Sequence, residues 1–153
     1  MQKHEQIEGA RTEFARLMDA IESMDEYAMT TPGMGEWGVR EVLAHITGWT
    51  LIDTEILRRL GRGERPLREG EEYGTGDSRN PGFASAAAPK SAANVIAELR
   101  AAFDEFVAVA ETLPEERFQE GRTVYRLMRD SAQQHLSEHC AEIESYRSMR
   151  AKA

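Results

Sequence analysis

Apolar residues recur at three- and four-residue intervals along four separate stretches of this chain, and no stretch alternates with the period of a half-buried strand. A chain patterned this way buries its apolar surface by packing helix on helix. Ile7, Ala10, Phe14, Leu17, Met18, Ile21 and Met24 predict a first helix over about 3 to 27, broken by the run from Thr30 to Gly38 with Pro32, Gly33 and Gly35. Val42, Ile46, Trp49, Ile52, Ile56 and Leu60 predict a second over about 39 to 60, with Gly61 placed to end it. A third follows Pro89 over about 91 to 112, with Ser91 as N-cap and Ile96, Leu99, Phe103, Phe106, Val107 and Ala110 on one face. Tyr125, Met128, Ala132, Leu136, Ile143 and Tyr146 predict a fourth over about 123 to 150.

Residues 61 to 90 hold six of the twelve glycines and three of the five prolines, show no sustained period, and read as a loop. Structureless connections of that length in compact domains usually mean function or disorder. The links at 28 to 38 and 113 to 122 are short enough for antiparallel neighbours, whereas the segment between the second and third helices is long enough to cross a bundle. The expected architecture is therefore all-α, a four-helix bundle with a long crossover between helices 2 and 3. At 153 residues it forms a single domain, 1–153. Leu43 and Leu51 lie away from the apolar arc of the second helix, so two faces need cover. Either that helix is central and packed all round, or it forms a homodimer interface.

A net charge of -8 repels a phosphate backbone and argues against a nucleic-acid partner. No apolar run approaches the ~20 residues that span a bilayer, and the first residues lack a signal-peptide core, so a membrane is not expected. The lone Cys140 forms no internal disulfide and fits a reducing cytoplasm.

The chemistry lies in the histidines. His135 and His139 are spaced i, i+4, so they leave one helical face with Cβ atoms roughly 5–6 Å apart and can reach a common ion. They share the arc of Met128, Ala132 and Ile143, and two inward imidazoles with no partner would be costly to bury. His45, at the margin of the second helix's inward arc, can supply a third nitrogen. Three neutral imidazoles leave a divalent ion with open positions, as catalytic sites do. The competing reading, histidines satisfied by hydrogen bonds, applies to most isolated H-x-x-x-H patterns. Cys140 is adjacent to His139 in sequence but about 100° away on the helix, so no thiol–imidazole pair follows. Glu138 reads as solvated, Glu142 as an acceptor for an imidazole N–H, and Trp37 and Trp49 as core or pocket border.

The segment Trp37-Gly38-Val39-Arg40-Glu41-Val42-Leu43-Ala44-His45-Ile46-Thr47-Gly48-Trp49, followed much later by the spacing of His135 and His139, resembles the DinB-like superfamily, which includes bacillithiol- and mycothiol-dependent transferases and isomerases. The resemblance implies a four-helix bundle, often dimeric, with a divalent metal (nickel, zinc, iron or manganese) on His45, His135 and His139. Arg79 and Asn80 before Pro81 resemble a polar motif ahead of the family's third helix that lines the site, but the reading favoured here is a turn-forming Asn before Pro. The function expected is a metal-dependent thiol S-transferase or hydrolase acting on small electrophiles, with a low-molecular-weight thiol as the cosubstrate that the resemblance implies. Its rival is a non-enzymatic small-molecule-binding or stress-response protein with a structural metal. Arg62, Arg65, Arg68 and Arg79 suit either a lid that recognises an anion or a plain surface loop.

Overall fold

A computed structural model describes residues 2–152, and the chain is all-helical. Helix α1 spans Gln2–Ile21, α2 Glu26–Thr30, α3 Val39–Gly61, α4 Gly76–Ala87 and α5 Ala92–Thr112. A 3-10 turn, Glu115–Phe118, precedes α6, Thr123–Arg126, which continues through a π-helical segment, Leu127–His135, into α7, Leu136–Lys152. Two compact units result, Met1–Val39 with Glu115–Ala153, and Arg40–Pro114.

In the first unit α1 buries Ile7, Ala10, Phe14, Leu17 and Ile21 of the predicted stripe together with Ala20, leaves Met18 half-buried, and ends six residues before its predicted limit, so that Met24 falls outside it. The cause is local. Asp25 Oδ1 accepts from Ala28 N at 2.7 Å, capping a new helix, and an Asp side chain competes well with helical continuation. α1 runs parallel to the C-terminal segments: Gln133 Nε2 donates to Gln6 O at 3.0 Å, Arg16 pairs with Glu144 at 2.6 Å, and Arg147 donates to Ala20 O at 3.0 Å. Partner numbers rise together, which an antiparallel pair would reverse.

The C-terminal segments form one rod, because the backbone stays right-handed at Leu127 (φ -64°, ψ -42°) and Leu136 (φ -62°, ψ -42°). Buried residues recur every fourth position at Val124, Met128, Ala132, Leu136 and Cys140. In a pure α-helix each four-residue step drifts by about 40°. The wider π turn absorbs the drift and keeps these side chains on one face.

In the second unit α3 and α5 are also parallel. Arg40 near the start of α3 donates to Lys90 O at 3.0 Å, Arg58 pairs with Glu105, and Gly61 lies against Leu113. A long return strand must join such a pair, and the 61–90 segment does so, fastened along α3 as it goes. Arg59 binds Glu71 and Pro66 O, Tyr73 reaches Asp53, Asn80 reaches Trp49, and Phe83 covers Gly48. The segment is not the structureless loop expected from its composition. Thr75 and Ser78 form a reciprocal capping box that opens α4, and Pro81 lies within that helix. Leu43 is fully buried within the chain, while Leu51 remains half exposed.

The Arg59–Glu71 pair gives a direct test. The Arg59 guanidinium, followed by the Arg68 backbone N–H, holds the Glu71 carboxyl down to about 2. Because the folded value lies below the unfolded one, the interaction is intact above the ordinary carboxylate range near 4.3 and is lost as pH falls toward about 2. A carbon-detected NMR titration of Glu71 should show that depressed midpoint, and Arg59→Gln should raise it toward the ordinary range, with the Arg68 N–H left to hold it down in part.

Candidate metal centre

His135 closes the π segment and His139 stands in the first turn of α7, both half buried between the buried Ala132, Leu136 and Cys140. Their Nε2 atoms lie 2.9 Å apart, with ring centroids at 4.5 Å and planes at 74°. Two nitrogens each about 2.0–2.1 Å from one ion are separated by that distance when they subtend about 90° at it. The pair therefore fits two adjacent positions of a coordination sphere without rearrangement of the rod. Glu142 Oε1 is 3.6 Å from His139 Nδ1, beyond hydrogen-bond length, and its side chain is half exposed. Exposed Glu138 accepts from Gln134 at 3.1 Å.

In the second unit His45 is buried on α3, and Asn80, delivered by α4, lies beside it. One atom, Asn80 Oδ1, lies 2.8 Å from His45 Nδ1 and accepts from Trp49 Nε1 at 2.9 Å. Trp49 in turn packs on Tyr73 (centroids 5.0 Å) and edge-on to Phe83 (5.8 Å). Asn80 is thus held inside a helix and bonded across to α3, which overturns the turn-former reading. Arg79 donates to Tyr73 O and, at 2.8 Å, to Glu72 O, so it ties down the approach to α4. Gly74 (φ +87°) leaves room for this, since a Cβ there would meet the Arg79 side chain.

Two cavities of about 360 and 230 Å³ lie in this unit, and Arg79 lines both. The larger is mainly apolar, with Leu51, Ile52, Phe83 and Val95, and includes Lys90 paired with Glu98 at 3.0 Å. Trp49 lines neither cavity and belongs instead to the aromatic cluster. Of the other loop cations, Arg62 pairs with Glu64.

Sequence reasoning missed Asp53, which is buried and accepts from Tyr73 Oη at 2.7 Å. The signal was available: an acidic residue two turns after His45, beside an apolar arc, needs a buried partner. Cys140 is fully buried, and burial is the main reason its thiol is pushed up to about 11. It stays protonated at neutral pH and is a packing group, not a nucleophile.

His45, His135 and His139 each offer one ring nitrogen of the kind that ligates a metal ion. An all-helical chain with an imidazole donor set is the class to which the DinB-like superfamily conforms. Within it, the chain belongs to the mycothiol maleylpyruvate isomerase N-terminal domain family, whose model matches residues 7–144. Neither a curated protein nor a solved structure matches the chain. Among the described residues no helix is long and apolar enough to cross a membrane.

Proposed function

We propose that this protein is a metal-dependent enzyme in which His45, His135 and His139 hold one divalent ion, nickel, zinc, iron or manganese, for the activation of a thiol or water against a small electrophile. The observation that supports it most strongly is the pair of Nε2 atoms 2.9 Å apart on the C-terminal rod. The family name couples mycothiol to an isomerase, which favours a low-molecular-weight thiol over water as the nucleophile, with a C–S bond that forms and breaks again to return the thiol. A divalent ion supplies Lewis acidity there, lowering the pKa of a thiol, ordinarily about 8.5, so that it is ionised at neutral pH.

The chain's own residues do the rest. The imidazoles bind through neutral nitrogens, and the apolar cavity beside Gly48 holds the electrophile's carbon skeleton. We read the whole chain as one four-helix-bundle domain with the 61–90 segment as its crossover. The family model runs through both units, and the long helices of each are parallel, as a single crossover between helices 2 and 3 requires. A cytoplasmic homodimer fits a thiol-using protein whose α3 leaves Leu51 half exposed.

Protein purified without a histidine tag should carry one ion per chain by elemental analysis, and His45→Ala should carry markedly less. Metal-loaded protein should isomerise maleylpyruvate with mycothiol, and chelation should stop the reaction while circular dichroism stays unchanged. Chelation that unfolds the chain would instead make the ion structural. Tag-free protein that neither retains nor takes up a divalent ion would end the proposal.

A further inference from the structure

We propose that Asn80 is a positioning residue that fixes His45 in its Nδ1–H tautomer and so places the ring's lone pair on Nε2, the atom that would meet the ion. The inference rests on the metal-centre reading above. Its warrant is a proton count at one atom. An indole N–H can only donate, so the Asn80 atom 2.9 Å from Trp49 Nε1 must be the amide oxygen. That settles which way the amide faces, and the same oxygen lies 2.8 Å from His45 Nδ1. An oxygen with no proton of its own can only accept, so Nδ1 carries the hydrogen and Nε2 the lone pair.

The other end of the amide agrees. Asn80 Nδ2 faces Gly76, at 3.0 Å from where a Cβ would stand. A side chain at 76 would crowd the amide, whereas glycine leaves it room. Free neutral histidine prefers the opposite tautomer, with hydrogen on Nε2. The protein must therefore impose Nδ1–H, and it does so with a residue on α4. The capping box of Thr75 and Ser78, the Arg79 anchor and the Phe83 contact with Gly48 set the register of that helix against α3. Ordering of the crossover is thereby a condition for presenting this ligand.

The test uses the full chain, metal-free, at a pH where histidines are neutral. Long-range nitrogen–proton NMR should show His45 protonated on Nδ1. Asn80→Ala should move the proton to Nε2 and weaken Co2+ binding by about 10–100-fold, the usual effect of removing a hydrogen-bond partner of a ligating imidazole. Asn80→Asp, which keeps an oxygen acceptor, should retain the Nδ1–H signature and restore affinity to within a few-fold. A merely structural role would not give that tautomer exchange and rescue. Wild-type protein with hydrogen on Nε2 overturns the inference whether or not any variant folds. So does an Asn80→Ala variant whose tautomer and Co2+ affinity are unchanged. The expected tautomers in a wild-type protein that fails to bind Co2+ would overturn the metal-centre reading while the assignment of the proton stands.

Discussion

His139→Ala should lose more than about 100-fold in divalent-metal affinity while its far-ultraviolet circular dichroism stays that of the wild type. The magnitude follows from a comparison: losing only a hydrogen-bond partner of a ligand costs 10–100-fold, and here a donor atom itself disappears. Helix content should survive because His139 is half buried, alanine is the best helix former, and the adjacent buried Leu136, Cys140 and Ile143 remain to anchor α7. His135→Ala should behave alike. The double variant should fall short of the summed effects, since two ligands of one ion act as a unit. Competition titration against a chromophoric chelator measures all three. Affinity unchanged in both single variants would show that the 2.9 Å nitrogen pair is an ordinary imidazole hydrogen bond.

Phe118→Ala should destabilise the fold by about 3–5 kcal/mol and lower the melting temperature on the order of 10 °C. Phe118 is fully buried, and the 3-10 turn that carries it is tied to α1 by Gln6 Nε2, which donates to Phe118 O at 2.9 Å. Because its backbone is held there, the turn cannot collapse into the space the ring leaves, and the cavity penalty adds to the lost transfer free energy. Tyr27→Ala is the control: at 70% exposed, this ring should contribute within about ±0.5 kcal/mol. Urea denaturation should show a lower midpoint for Phe118→Ala with an unchanged slope. A shift no larger than that of Tyr27→Ala would refute the packing account.

Much of this was legible in the residues, because burial writes itself as a period. The stripes from Ile7 to Ile21 and from Leu99 to Ala110 lie buried on α1 and α5, and Ser91 caps α5 by accepting from Asn94 N at 3.1 Å. The i, i+4 histidines meet because a helix brings such positions together whatever surrounds them. What stayed hidden depends on partners far along the chain. Helix α4 has almost no amphipathic pattern, with only Ala87 buried, and it stands on side-chain fastenings to α3 that periodicity does not record. The π segment was equally invisible, since no residue type marks the i→i+5 bond. Asn80 stood out as a residue before proline and, through the resemblance, as a candidate to line the site, but its partners, 35 and 31 positions away, were not legible.

The same-direction course of α1 and the C-terminal rod has a consequence for how the chain is born. Contacts that bind them join residues 127 and 128 positions apart, as in Gln6 with Gln133 and Arg16 with Glu144. Closing so wide a span is entropically slow, and none of it can begin until the last helix has left the ribosome. Until then the first twenty residues wait with most of an oily flank uncovered beyond the turn of Phe118, so a nascent chain arrested before position 133 would be a natural client for a chaperone.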